Sequence, residues 1–140
     1  MRTMVETKIL KSNNQEEIEM KKNSCESRID KELNSRIKDF AKVLARFDAH
    51  GYIRIDGYKY EDFIEWLNEY ALAYDPNYEK ENGEIAKRLE LSYGGPRDYF
   101  LFHQNGDITY HFLDWFDGAK RYLHNHDLEI MGKVKDWLDF

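Results

Sequence analysis

Apolar residues recur at helical spacing over the first third of the chain. No Pro or Gly interrupts residues 13–48, so the pattern predicts a long N-terminal helix with one apolar seam. Residues 15–27 carry few apolar side chains, and we expect a solvated helical extension there and a mobile tail over residues 1–14. The seam is expected to pack within its own domain, the alternative being a coiled coil that forms a homodimer through this helix. The seam consists of Ile29, Leu33, Ile37, Phe40, Leu44 and Phe47.

Two shorter patterns follow this helix. Residues 52–55 are β-branched and aromatic and precede Asp56-Gly57, which predicts a strand and a turn. A second helix is predicted from about Tyr60 to Tyr74, where Pro76 stops it. One face of this helix is acidic, and residues 77–88 are expected to form a loop.

The last third shows the alternation of a β-hairpin. Asn105-Gly106 separates two aromatic-rich segments, and Asn-Gly favours a two-residue type I′ turn. This turn would place His103 opposite Ile108 and would put His103 and His111 on opposite faces. Residues 89–93 are expected to add a strand. A C-terminal helix is predicted from about residue 127, with Leu128, Met131, Val134, Trp137 and Leu138 facing inward.

These elements predict a single α+β domain over residues 15–140. It comprises a long N-terminal helix, an acidic middle helix, a three- or four-stranded antiparallel sheet and a C-terminal helix. The chain has 140 residues, of which 41% are hydrophobic and 34% are charged, as in ordinary globular domains. Cys25 is the single cysteine, so the core must be stabilised by packing rather than by an internal disulfide.

Charge is distributed unevenly along the chain. The net charge is −6, with +2 on residues 1–48 and −8 on residues 49–140. An acidic surface disfavours direct contact with nucleic acid, because phosphates select clustered Lys and Arg, and it favours a basic protein as partner. No segment approaches the roughly 18 apolar residues of a membrane span, and residues 1–10 lack secretory-signal features. We therefore expect no membrane contact and a cytoplasmic location.

The acidic face of the middle helix is a candidate partner-binding surface. Carboxylates four residues apart lie roughly 6 Å from each other on a helix, close to the phosphate spacing of a nucleic-acid strand, and can occupy a basic groove. Trp66 and Tyr70 would add aromatic contact area. The alternative is an ordinary solvated helix face. The carboxylates, called the acidic stripe below, are Glu61, Asp62, Glu65 and Glu69.

Few residues are candidates for catalysis. Asp114-Trp115-Phe116-Asp117 places two carboxylates three apart, and these could serve acid-base chemistry with His111 or Arg97. The alternative is that one Asp caps a short helix at residues 119–123 while the aromatics anchor it in the core. The five histidines lack the spacing of metal ligands, so we expect no metal and no cofactor. Gly94-Gly95-Pro96 lacks the Lys-Ser/Thr ending of a phosphate loop and is expected to be a turn.

Two segments together resemble a known class of proteins. Leu91-Ser92-Tyr93-Gly94-Gly95-Pro96 is followed by an aromatic strand and then by Asp114-Trp115-Phe116-Asp117. This order resembles small accessory proteins of phages, plasmids and other mobile elements, in which a Ser/Thr-x-Gly-Gly-Pro turn precedes a hairpin and an Asp-Trp motif. The similarity covers about residues 89–118, and Tyr93 stands where Thr is usual.

The resemblance implies a setting in which such accessory proteins block host defence, as anti-CRISPR and antirestriction inhibitors do. These inhibitors bind a nuclease complex and exclude its nucleic acid. We therefore expect a non-catalytic inhibitor of a CRISPR-Cas effector or another nuclease, acting in the host cytosol, with the acidic stripe facing a basic channel. The alternatives are a small enzyme using Asp114 and Asp117 and a self-associating structural or regulatory protein.

Overall fold

The computed structural model describes residues 24–139, and these residues form helices and two antiparallel sheets. The α+β class and both terminal helices agree with the sequence prediction, whereas the main sheet has five strands instead of three or four. Its strand order is β3-β4-β5-β6-β7, and β1 and β2 form a separate hairpin. The elements are α1 (Cys25–His50), β1 (Ile53–Ile55), β2 (Tyr58–Tyr60), α2 (Phe63–Tyr70), β3 (Ala73–Glu79), β4 (Ile85–Ser92), β5 (Arg97–Phe102), β6 (Ile108–Asp114), β7 (Asp117–Tyr122) and α3 (Asn125–Leu138).

Helix α1 has well-defined caps at both ends. The Ser24 side chain accepts a hydrogen bond from Ser27 N at 3.2 Å, and Gly51 adopts the left-handed conformation and donates its N–H to Phe47 O, as helix termini require. The helix thus begins inside the predicted 15–27 extension, and residues 1–23, including the predicted mobile tail, lie outside the described residues. The seam from Ile29 to Leu44 is buried against the sheet, so the packing within the domain that we predicted is confirmed.

The prediction for residues 60–88 was partly wrong. Helix α2 has eight residues. It begins after Asp62 because Asp62 caps its first turn, accepting from Glu65 N at 2.9 Å, while Glu65 accepts from Glu61 N at 3.0 Å. The predicted loop at residues 77–88 is instead the β3–β4 hairpin. Pro76 is accommodated because β3 is an edge strand with an irregularity between Asp75 and Tyr78.

The register of the β5–β6 hairpin differs by one residue from the prediction. Phe102 rather than His103 pairs with Ile108, because Gly106 takes φ 94° and closes a longer turn. The observed register places the large apolar side chains of both strands on the core face. It also places His103 and His111 on the same face, where both contact the hydroxyl of Thr109, which corrects the sequence-based expectation.

The C-terminal region corrects two further predictions. Residues 117–122 form strand β7 rather than a helix at 119–123. Helix α3 begins at Asn125 and buries Met131 and Val134 as predicted, whereas Leu128 is 37% exposed. No helix within residues 24–139 is long and apolar enough to cross a membrane.

The two faces of the main sheet are unlike each other. The face carrying Phe100 and Tyr110 joins the helices in one hydrophobic core. The opposite face, which carries Tyr99, His111 and Lys120, opens into shallow depressions. No helix of the described residues covers that face, which is called the open face below.

Candidate functional site

The two motifs singled out in the sequence meet at one end of the main sheet. The turn Gly94-Gly95-Pro96 joins β4 to β5, and Trp115-Phe116 joins β6 to β7. Arg97 and Leu113, which pair across β5 and β6, lie between these two turns. Together they surround a depression of about 690 Å³, lined by Tyr93, Gly94, Gly95, Pro96, Arg97, Leu113, Asp114 and Trp115.

Trp115 and Phe116 form the most exposed aromatic pair of the described residues. Their relative exposures are 90% and 105%, so the expectation that they anchor an element in the core was wrong. We call this pair the aromatic tip. Two adjacent large aromatic side chains are seldom left exposed to water on a protein surface, and exposed apolar patches mark interaction sites.

The backbone of the aromatic tip is strained. Trp115 has φ 57° in a two-residue turn between the paired residues Asp114 and Asp117. Such turns place Gly, Asn or Asp at positive φ, and a bulky residue there costs on the order of 1–3 kcal/mol. The backbone strain and the exposed apolar surface both lower the stability of the free protein. Residues that lower stability in this way are typical of functional sites.

The two carboxylates that flank the aromatic tip form hydrogen bonds with the start of α1. Asp114 accepts from Arg28 Nη1 at 2.6 Å, and Asp117 accepts from Cys25 N at 2.7 Å. Asp117 therefore accepts from the first N–H of α1, and the prediction that one of these carboxylates caps a helix at residues 119–123 was wrong because residues 117–122 form β7. The hydrogen bond from Cys25 N–H lowers the pKa of the Asp117 carboxyl, since a donor at a helix N-terminus stabilises the charged form.

The other rim of the depression is also aromatic and cationic. Tyr93 is 72% exposed, and the Arg97 guanidinium lies 5.3 Å from its ring centre. Arg97 is oriented by a two-point ion pair with Glu90, at 2.5 and 3.2 Å. Gly94 adopts a φ of 101°, a backbone conformation that residues with a side chain rarely adopt. Trp, Tyr and Arg are the residue types enriched at the energetic centres of protein interfaces.

The acidic stripe has internal hydrogen-bonding roles. Asp62 and Glu65 cap α2, and Glu69 accepts from the Tyr60 hydroxyl at 2.7 Å. Glu61 is exposed and lies 3.7 Å from Lys59 Nζ. These carboxylates are therefore largely engaged in holding α2 and the β1–β2 hairpin together.

Of the aromatic residues predicted to extend the acidic stripe, Trp66 is buried and Tyr70 is partly buried. Trp66 is 6% exposed and stacks on Tyr70 with ring centres 4.5 Å apart. The Tyr70 hydroxyl donates to Asp39 at 2.7 Å and accepts from Arg36 at 3.0 Å. Burial raises the pKa of Tyr70 to about 12. Trp66 is a core residue, and the contact area predicted from it is not available on the folded chain.

Sequence reasoning missed the partners that position the motif. Cys25 and Arg28 lie 92 and 86 residues before their carboxylate partners, and no local pattern links them. Within residues 24–139, no group of three or more His, Cys, Asp or Glu side chains is arranged to hold a metal ion. Comparison with known proteins gives no match for this chain among protein-family models, curated proteins or solved structures.

Removing the Asp117 carboxylate is expected to lower the melting temperature in a pH-dependent way. The pKa of Asp117 lies below its ordinary value of 3.8, so its contribution is complete above that value and is lost as the pH falls through the lower folded value. In Asp117→Ala, the melting temperature should be lower than wild type at pH 7, and this difference should narrow as the pH falls below 3.8.

Thermal unfolding followed by circular dichroism checks this prediction. Asp136→Ala is the control, because Asp136 is an exposed carboxylate on α3 and its removal is expected to change the melting temperature little. An Asp117→Ala protein with the melting temperature of wild type at pH 7 would show that the cap does not stabilise α1.

Proposed function

We propose that this chain is a non-catalytic binding protein that attaches to another protein through its aromatic tip and inhibits it. The proposed target is a nuclease of a host defence system, a CRISPR-Cas effector foremost, which would make the chain an anti-CRISPR protein. The observation that carries the binding role is the pair Trp115 and Phe116, exposed at 90% and 105% on a strained turn. The choice of target comes from the resemblance of residues 89–118 to accessory proteins of mobile elements.

The anchoring of the aromatic tip supports a binding role. Interface residues that are held rigidly before binding lose less conformational entropy when they bind. Trp115 and Phe116 are fixed between two strands, and the flanking carboxylates are tied to Arg28 and Cys25. The backbone that carries the aromatic tip is thus held between β6, β7 and α1, and the rim formed by Tyr93 and Arg97 adds further contact groups.

The same contacts bear on the alternative of a small enzyme. A general acid or base must be free to exchange a proton with a substrate. Asp114 and Asp117 are instead engaged by a guanidinium and a backbone N–H, which favours the structural role that we weighed for them. We therefore propose that the carboxylates position the aromatic tip and that the tip makes the contact.

Inhibition of plasmid interference tests the proposed function. The protein is expressed in bacteria that carry one of a panel of CRISPR-Cas or restriction systems, and transformation by a targeted plasmid is counted. We expect transformation to recover in one of these strains, and an expression-matched Asp136→Ala protein to behave like wild type. A protein that restores no system in the panel, and that binds none of their nucleases when purified, would contradict the proposal.

The acidic stripe is the alternative contact surface and is tested by charge reversal. Glu61→Lys with Glu69→Lys changes the charge by +4 while it leaves the caps at Asp62 and Glu65 in place. Because the proposed contact is the aromatic tip, we expect the affinity of this variant for its target to stay within about threefold of wild type. Charges outside the contact alter mainly the association rate. Surface plasmon resonance on the inhibited nuclease checks it, and a loss of binding would assign the contact to the acidic stripe.

A further inference from the structure

The open face carries a chain of hydrogen bonds with a fixed direction. Lys80 Nζ lies 3.2 Å from His103 Nδ1, His103 Nε2 lies 2.8 Å from Thr109 Oγ1, and Thr109 Oγ1 lies 2.8 Å from His111 Nε2. An ammonium group can only donate, so His103 Nδ1 accepts and His103 Nε2 carries the hydrogen. Thr109 then receives this hydrogen bond and donates its own hydroxyl hydrogen to His111 Nε2.

This chain determines the tautomer of His111. With Nε2 accepting, a neutral His111 carries its hydrogen on Nδ1. Burial and the nearby Lys120 charge lower the pKa of His111 to about 4, which keeps the ring neutral at pH 7. Nδ1 forms no hydrogen bond within residues 24–139, and it is not sealed from solvent. His111 therefore presents an unused donor at the surface of the open face.

Two further donors lie beside His111. Lys120 is its cross-strand partner, is exposed and forms no ion pair within residues 24–139. Tyr99 stacks on His111 with ring centres 4.7 Å apart and an interplanar angle of 8°, and its hydroxyl has no hydrogen-bond partner among the described residues. Three side chains whose donors have no acceptor among the described residues thus lie next to one another across β5, β6 and β7, and such donors suit an anionic oxygen group.

The surroundings of these donors contain flat rings and acceptors. Tyr99, His111 and Lys120 are shared by two depressions of about 490 and 430 Å³, within the size range of small-ligand sites. The larger depression is also lined by the rings of Tyr78 and Tyr122 and by the carboxylates Glu81 and Asp107. Aromatic side chains stack on nucleobases, and carboxylates accept from hydroxyl and amino groups.

We infer that the open face binds a nucleoside phosphate, with the phosphate on Tyr99, His111 and Lys120 and the base against the tyrosine rings of the larger depression. This site adjoins the depression at the aromatic tip, since Arg97 Cζ lies 4.8 Å from the Tyr99 ring centre, but it uses other side chains and does not depend on the proposed function. The sequence prediction missed it because the predicted register placed His103 and His111 on opposite faces.

Titration of the full-length protein with the four ribonucleoside 5′-monophosphates, followed by ¹H–¹⁵N NMR, tests this inference. We expect saturable shifts at Tyr99, His111 and Lys120, and clearly weaker binding of the matching nucleosides and of inorganic phosphate. Lys120→Gln should weaken binding roughly tenfold, since it removes a charge-assisted hydrogen bond. Lys133→Gln, the same change at an exposed position of α3, should bind like wild type.

Thr109→Val interrupts the hydrogen-bond chain at nearly constant volume. We expect the imidazole ¹⁵N chemical shifts of His111 no longer to show a single tautomer with hydrogen on Nδ1, and we expect the monophosphates to bind more weakly.

A short oligonucleotide shows whether the natural ligand is a free nucleotide or a nucleic-acid strand. If the oligonucleotide binds more tightly than a monophosphate, the ligand is a strand, and if the two bind equally, it is a free nucleotide. The inference is overturned if the monophosphates leave the open face unshifted, if nucleosides bind equally well, or if Lys120→Gln binds no more weakly than Lys133→Gln.

Discussion

Replacing Arg36 by Ala is expected to lower the free energy of unfolding by about 3–5 kcal/mol, because it leaves a buried carboxylate without its countercharge. Arg36 Nε and Nη2 donate to both oxygens of Asp98, at 2.7 and 3.0 Å. Asp98 is 2% exposed. The other groups that donate to the Asp98 carboxylate are the hydroxyls of Tyr110, at 2.7 Å, and Ser92.

This ion pair also connects separate elements. Arg36 lies on α1 and reaches Asp98 on β5, and its Nη1 donates to Tyr70 at the end of α2 at 3.0 Å. Its loss therefore loosens the attachment of both helices to the sheet. Burial, reinforced by the Asp98 carboxylate, also raises the pKa of Tyr110, so the phenol stays a donor.

Urea unfolding followed by tryptophan fluorescence measures the effect. Lys42→Ala is the control, because it removes a positive charge from an exposed position of α1 and is expected to change stability by about 0.5 kcal/mol or less. Arg36→Lys keeps the charge but loses the two-point geometry and should fall between wild type and Arg36→Ala. Equal midpoints for Arg36→Ala and Lys42→Ala would contradict this role of the ion pair.

The second large effect is expected at the aromatic tip, on binding rather than on stability. Trp115→Ser with Phe116→Ser removes two fully exposed side chains, and buried interface aromatics commonly contribute about 2 kcal/mol or more each. Affinity for the target should fall by at least about 30-fold, which corresponds to 2 kcal/mol, and inhibition in cells should be lost with it.

The free protein should tolerate this change. Neither side chain contributes to the hydrophobic core, so the free energy of unfolding should stay within about 0.5 kcal/mol of wild type. Leu72→Ser is the matched control, since Leu72 is an exposed apolar residue elsewhere, at 61%, and should leave binding intact. A tip variant that unfolds, or a Leu72→Ser protein that loses binding equally, would count against a specific contact at the tip.

The parts of the fold that depend on local pattern were predictable. The seam of α1 repeats at helical spacing over many turns, and the Asp56-Gly57 turn follows a short apolar strand. The predictions of this helix and of this strand and turn are confirmed. Strand β3 was not, because Pro76 sits in an edge strand where the missing donor costs little. The observed β5–β6 register places Tyr110 and Phe112 on the same core face as Phe100, and this shared burial outweighs the preference of Asn-Gly for a shorter turn.

The candidate site was only partly visible in the sequence. The resemblance singled out the two turns, and the antiparallel sheet brings them to one end. The roles of Asp114 and Asp117 depend on Arg28 and Cys25, whose distance along the chain hides the contacts from any local motif. The exposure of Trp115 contradicts its apolar character, and only the folded structure reveals such a conflict.

Capture of the target from a lysate containing CRISPR effectors and other nucleases, at low and at high salt, compares the two candidate surfaces directly. The tagged baits are wild type, the Trp115/Phe116 double variant and the Glu61/Glu69 charge-reversal variant, and mass spectrometry quantifies what each retains. Contact through the aromatic tip predicts one nuclease complex on wild type and on the charge-reversal variant, retained at high salt because apolar contacts are not screened, and lost from the tip variant. The same complex on the tip variant at wild-type yield would contradict it.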